Sequence, residues 1–134
     1  MVDWNAGVIS EFRANEGNIK GFERQPVLLL HHRGAKTGKE RINPLAYMKV
    51  DGGYAVFASK AGADSNPDWF YNVTANTETK VEVGSETVDV RARVAEGDEH
   101  DRIWSAQKDF NGTFAKYEER TSRGRIPVVV LEPI

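Results

Sequence analysis

Arg33, Lys36, Lys39 and Arg41 fall within nine residues, spaced by Gly34 and Gly38, in a chain whose formal net charge is −2. Glycines let backbone N–H groups approach an anion closely, and the cations neutralise it. The chemistry on offer is anion binding rather than proton transfer or nucleophilic attack. Residues 33 to 60 carry six cations against Glu40 and Asp51, a local charge of +4, whereas residues 68 to 134 carry nine cations against thirteen acids. A nucleic-acid binder spreads its basic residues over a basic domain. One basic segment on an acidic chain suits a small polyanion, and nucleic acid is not expected as a partner. A solvated hairpin loop would read the same way from this stretch alone.

A second segment could take part. Ala58-Ser59-Lys60-Ala61-Gly62 supplies small residues and one cation, and Asn66-Pro67-Asp68-Trp69 follows. The latter reads as a helix start, with Asn66 as the N-cap and Pro67 at the first helical position. Such an end offers unpaired N–H groups and a positive dipole. Other chemistries are poorly served. There is no cysteine, so no thiolate nucleophile or Cys-based metal site. His31 and His32 are neighbours on a predicted strand and point to opposite faces, so they cannot share a metal. His100 lies far along the chain, and no metal is expected. Lys36-Thr37-Gly38 and Ser105-Ala106-Gln107-Lys108 match the β-lactamase motifs K-T-G and S-x-x-K, but in reversed order and without S-D-N. Gly34 to Lys39 falls one residue short of a nucleotide phosphate loop, and it precedes a strand rather than a helix.

These groups need elements to hold them. Trp4, Val8, Ile9 and Phe12 have helical spacing, which predicts a helix over 4–14. A connector leads to Pro26 and a strand over 27–32. A second strand is expected over 41–50, the Asp51-Gly52-Gly53 turn, and a third strand over 54–59. A second hairpin turns at Gly84-Ser85. In its second arm Val88, Val90, Ala92 and Val94 face one way, and Asp89, Arg91 and Arg93 the other. Ile103, Trp104, Gln107 and Phe110 mark a helix from about Asp98. Phe114 and Tyr117 belong to a further helical piece, and residues 126–131 close as a sixth strand. Six mostly antiparallel strands with short helices between them predict a small α+β barrel. At 134 residues the chain reads as one domain, 1–134, with 1–25 as N-terminal helix and connector. No apolar run reaches the about 20 residues of a membrane span. The N-terminus lacks a signal-peptide layout, so a cytoplasmic protein is expected.

Four motifs in register carry a resemblance. They are Lys36-Thr37-Gly38-Lys39-Glu40-Arg41-Ile42-Asn43-Pro44-Leu45, Ala58-Ser59-Lys60-Ala61-Gly62, Asn66-Pro67-Asp68-Trp69 and Ile126-Pro127-Val128-Val129. Together they resemble the deazaflavin-dependent nitroreductase family, over roughly residues 26 to 134. That resemblance implies a split β-barrel of the FMN-binding type and the deazaflavin coenzyme F420. It also implies two-electron reduction of a small-molecule acceptor, quinone-like or nitroaromatic. The coenzyme is a flexible polyanion with a phosphodiester and a glutamate tail. By resemblance Lys36, Thr37, Gly38 and Arg41 would hold its phosphate, and Asn43 and Pro44 would border ring and ribityl chain. Ala58, Ser59 and Lys60 would run along it, with Gly62, Asn66, Asp68, Trp69 and Asn72 on the other side. Ala46, Tyr47, Phe110, Phe114 and Tyr117 would shape the acceptor side. Here the chain departs from the best-known member of that family, with Ala46 where that relative has a Tyr, Tyr47 next, and Phe110 and Phe114 beside Tyr117 in a late segment that is Tyr-rich there. Ser59 and Tyr117 would be the catalytic hydrogen-bond donors, although Tyr117 would serve equally to cap the core with its hydroxyl in solvent. An FMN enzyme on the same barrel and a non-catalytic deazaflavin carrier are the alternatives. Monomer or homodimer, and peripheral membrane contact where quinones reside, are left open.

Overall fold

The computed structural model describes residues 4–20 and 24–134. Residues 21–23 of the expected connector, the first three residues, and the side chains of Trp4 and Asn5 lie outside the described ones. Helix α1 spans Trp4–Ala14, followed by β1 Val27–Arg33, β2 Glu40–Val50 and β3 Gly53–Phe57. A single 3-10 turn, Lys60–Gly62, leads to helix α2 Asp68–Ala75. Strands β4 Glu78–Val83 and β5 Glu86–Val94 precede helices α3 Gly97–Phe110 and α4 Thr113–Arg120, and β6 Val128–Pro133 ends the fold. The strands close into a barrel in the order β1-β2-β3-β6-β5-β4, and every neighbouring pair is antiparallel. This is the expected α+β split-barrel-like fold.

Two strands are apolar on both faces, and the barrel shows why. On β1, Leu28 and Leu30 point into the barrel, while Val27 and Leu29 lie under α1 with Phe12 and Ile19. On β6, Val129 and Leu131 point in, while Val128 and Val130 meet Ile103, Trp104 and Phe114 of α3 and α4. A strand buried on both sides cannot alternate. Helix α2 closes one end of the interior with Trp69 and Val73. The barrel has no free edge to pair with another chain.

Helix α1 is also held by charge. The Arg13 guanidinium grips Glu82 of β4 through both carboxylate oxygens, at 3.0 and 2.7 Å. Those bonds from Arg13, more than the further one from His31, hold the Glu82 carboxyl below its ordinary value against the opposing effect of burial. A depressed carboxylate contributes stability above its unfolded value, lost as pH falls through the folded one. Arg13 is half exposed, so the contribution is less than about 1 kcal/mol. Glu82→Gln is expected to flatten part of the acid limb of stability below about pH 4.5, read from melts across pH. An unchanged acid limb would show that the pair contributes nothing.

Three local expectations fail. Residue Asn66 is not the cap of α2. Pro67 occupies that position, extended at φ −70° and ψ 158°, with no side-chain cap bond. Val94 ends β5 at the barrel rim and is 38 % exposed, so alternation there does not bring burial. Phe110 is 56 % exposed at the end of α3, although Ile103, Trp104 and Gln107 of the same helix are buried.

Candidate active site

A groove of about 1130 Å³ runs between the β2–β3 side of the barrel and the α3–α4 pair. Asn43, Pro44 and Ala46 of β2, Ser59 and Lys60 after β3, Trp69 of α2, and Phe110, Phe114 and Tyr117 of the helical pair all line it. Sequence positions 43 to 117 are thus brought to one place. Phe57, Phe114 and Tyr117 give the groove one aromatic wall, packed tilted or edge to face on one another and on the buried Trp104 behind them, with Phe114 and Tyr117 centroids 5.3 Å apart. The Tyr117 hydroxyl has no hydrogen-bond partner among the described residues.

The other expected site residues lie elsewhere. Lys36, Thr37, Gly38 and Arg41 are exposed, in the β1–β2 connection and at the start of β2. Arg41 sits two residues beyond Asn43 on the same face of β2, toward that connection. The loop is closed on itself. Gly34 N–H donates to the Lys39 carbonyl at 2.9 Å, and Gly38 N–H donates to the Gly34 carbonyl at 2.8 Å. Gly38, at φ +69°, therefore lets the chain turn and has no N–H left for an anion. Asn72 is not on the groove wall. It is 7 % exposed behind the loop, where its Oδ1 accepts Ala35 N–H at 3.0 Å. Ala58 is fully buried in the barrel core, and Asp68 is exposed at the start of α2. Tyr47 is also corrected: strand alternation turns it away from Ala46, and its ring packs edge-on against Tyr54 at 5.7 Å. Burial, then the Tyr54 neighbour, raises its phenol above the ordinary value.

The segment after β3 is unusual. Ser59 is right-handed, at φ −73° and ψ −39°, and the next three residues are left-handed: Lys60 at φ 47°, Ala61 at 53° and Gly62 at 82°. Left-handed backbone at two non-glycine residues costs on the order of 1–3 kcal/mol each and persists only where the surroundings impose it. Here Arg123 braces the residues that lead into it, and turn bonds from Gly62 N–H to the Ser59 carbonyl and from Ala63 N–H to the Lys60 carbonyl close it. The Arg123 guanidinium donates to the Ala58 carbonyl at 2.8 Å, the Ser59 carbonyl at 2.7 Å and Asn66 Oδ1 at 2.7 Å, and its Nε donates to Thr121 Oγ1 at 2.9 Å. Arg120 donates to the Ala61 carbonyl at 3.2 Å. Gly62 is pressed against α4, where a Cβ would lie 3.0 Å from the Tyr117 carbonyl oxygen. With the carbonyls held from the α4–β6 side, the N–H groups of Ser59, Lys60 and Ala61 form no bond to other described residues. A right-handed residue followed by a left-handed one turns successive N–H groups into a cradle for negative charge.

Sequence reasoning missed Arg123, because a cation in Thr121-Ser122-Arg123-Gly124-Arg125 reads by default as solvated surface. It also missed Gln25 and Asn111, which line the groove at its other end. Gln25 Oε1 accepts from Gln107 Nε2 at 2.9 Å and from Asn111 Nδ2 at 3.1 Å, tying the α3–α4 turn to the start of β1. No local signal pairs residues more than 80 positions apart.

Residues 6–133 match the family model described as F420H(2)-dependent quinone reductase. The chain is 40 % identical over 114 residues to the putative F420H(2)-dependent quinone reductase Rv3178 of Mycobacterium tuberculosis, covering 84 % of this chain and 95 % of that one. Among solved structures, an F420-H2 dependent reductase superposes with a TM-score of 0.72 at 37 % identity, over 80 % of this chain and 94 % of that one. A second solved structure, described only as a domain-swapped dimer, superposes with a TM-score of 0.74 at 33 % identity, over 95 % of this chain and 96 % of that one.

Proposed function

The chain belongs to the F420H(2)-dependent quinone reductase family, and from that premise we propose that it reduces a quinone-like acceptor in its groove with a hydride from reduced coenzyme F420. The observation that carries this reading is the groove itself: an apolar aromatic wall faces a backbone cradle, and the basic loop lies beyond the Asn43 end. The residues present fit the coenzyme. The N–H groups of Ser59, Lys60 and Ala61 suit the electron-rich oxygens of the ring system, and Trp69 and Pro44 supply flat apolar contact. Lys36 and Arg41 are exposed where an anionic tail would leave the groove. When bound, the reduced deazaflavin supplies a hydride, and no metal is needed.

The chain must then orient the acceptor and manage one proton. Hydride delivery to a quinone leaves an oxyanion, and a proton completes the hydroquinone. The aromatic wall of Phe110, Phe114 and Tyr117 would hold the acceptor ring. The Tyr117 hydroxyl, which has no partner among the described residues, and the Ser59 hydroxyl would stabilise the developing charge. The domain-swapped relative supports the homodimer over the monomer. No described helix is long and apolar enough to cross a membrane. The cysteine-free composition suits a reducing cytoplasm, from which the groove would meet quinones at a membrane surface.

Titration of the purified protein with F420 and with FMN, followed by fluorescence, tests the cofactor. Turnover of a soluble menaquinone analogue tests the reaction and separates enzyme from carrier. Tyr117→Phe keeps the packing and removes the donor. It is expected to lower kcat about tenfold to one hundredfold, the scale of one hydrogen bond to a charged group, with F420 affinity unchanged. Equal turnover by the Phe variant would leave Tyr117 as a wall and the proton to water.

A further inference from the structure

His32 is 3 % exposed at the mouth of the barrel, between Asn43 of β2 and Asn72 of α2. The polarity of this trio follows from one group that has no choice. The Ala35 N–H can only donate, and its acceptor is Asn72 Oδ1 at 3.0 Å. Asn72 Nδ2 is then the atom 2.9 Å from His32 Nδ1. An amide nitrogen donates, so Nδ1 accepts and carries no proton. The proton of the neutral ring sits on Nε2, which donates to Asn43 Oδ1 at 2.6 Å. Asn43 lines the groove, and the bond to Oδ1 fixes which way its carboxamide is turned, leaving the NH₂ to donate there.

We propose that His32 is a positioning residue: it relays the polarity of the Ala35 N–H through Asn72 and so fixes the Asn43 carboxamide as a hydrogen-bond donor toward an oxygen of the bound cofactor. The role of the groove rests on the function proposed above. The relay couples two parts of the site, because the same chain that aims Asn43 also pins the basic loop at Ala35.

The relay works only with a neutral imidazole. A proton on Nδ1 would face the Asn72 NH₂. The Asn72 amide would have to turn, and its NH₂ would then meet the Ala35 N–H. Burial, above all, holds His32 below its ordinary value. Among the charged groups around the ring, Arg41 on β2 and the neighbouring His31 on β1 act in the same direction. The bond with Asn43 and the charge of Asp68 at the start of α2 oppose them. The relay is therefore intact at neutral pH and is lost as pH falls through the lowered value.

Two measurements test this. In the cofactor-free protein at pH 7, the ring ¹⁵N shifts of His32 should show the proton on Nε2, and a proton on Nδ1 would overturn the relay. In fluorescence titrations with F420, His32→Phe removes both bonds and should weaken binding about five- to tenfold, the scale of one lost neutral hydrogen bond. His32→Gln keeps an Nε2 donor for Asn43 and should bind within about twofold of the parent. On acidification the parent should lose affinity relative to His32→Gln, a comparison in which titration of the free cofactor cancels. Parent-like binding by His32→Phe, or identical pH profiles for the parent and the Gln variant, would defeat the proposal. If the parent itself failed to bind F420, the reading of the groove would fall, while the ¹⁵N shifts would still decide the relay.

Discussion

Arg123→Ala is expected to lower stability by about 2–3 kcal/mol, because it strands carbonyls that no water replaces well. For a domain of this size that is a drop in Tm of about 6–12 °C. Ala58 is fully buried and its carbonyl would lose the Arg123 donor, while the Ser59 carbonyl would keep only the Gly62 N–H at 2.9 Å. The same guanidinium holds Asn66 Oδ1, so the start of α2 would loosen as well. A functional loss should accompany the thermal one. Once Arg123 releases the Ala58 and Ser59 carbonyls, only the Arg120–Ala61 bond and the segment's own turn bonds oppose the strain at Lys60 and Ala61, and the segment would relax out of the cradle geometry. F420 binding should weaken at least about tenfold, as a charge-assisted bond is lost. Arg123→Lys tests the fork, since an ammonium keeps the charge but cannot reach two carbonyls and an amide at fixed angles. It should recover part of the melt and little of the binding. A parent-like melt with parent-like binding in Arg123→Ala would mean that the segment holds its own shape.

The case of Asn66 shows where local sequence stops being informative. Asn before Pro at a helix start reads as a cap, and as local chemistry that reading is sound. However, the residue before a proline is driven to extended backbone, and Pro67 is itself extended, so the helix begins one residue later at Asp68. The Asn66 amide is then available to Arg123, 57 positions away. The barrel was legible for the opposite reason. Runs such as Val27–Leu30 and Val128–Leu131 state their burial on both faces in every residue, and the hairpin turns at Asp51-Gly52 and Gly84-Ser85 set which strands pair. The site was legible as motifs but not as geometry. Ala58, Gly62 and Asn72 sit inside the right segments, yet the structure uses them behind the groove, as core, as contact with α4 and as support for the loop. Tyr47 fails through the two-residue period of a strand alone. His32 is legible only as pointing opposite to His31, because a polar residue on an apolar strand does not announce which partners will meet it inside a closed barrel.

Unlike Arg123→Ala, combined replacement of Lys36 and Arg41 by Ala should weaken cofactor binding without touching the fold. Both side chains are exposed, and the loop that carries Lys36 is closed by its own Gly34–Lys39 and Gly38–Gly34 backbone bonds and anchored by Asn72. None of those bonds uses either cation, so the melt should be unchanged. A hydrogen bond to a charged group contributes roughly 1.5–3 kcal/mol, so each lost contact should weaken F420 binding about tenfold to over one hundredfold. The loss should shrink as salt is added, because exposed charges are screened beyond about 10 Å at 0.1 M ionic strength. Chain length of the ligand supplies a second axis. A cofactor with a phosphodiester and a glutamate tail presents several charges to this loop, whereas FMN presents one phosphate. The double variant should therefore lose more affinity for F420 than for FMN, narrowing the preference between them. Equal losses would place only a single phosphate at the loop. No loss for either would return the four cations between Arg33 and Arg41 to solvent, with the backbone cradle at Ser59–Ala61 left to hold the cofactor alone.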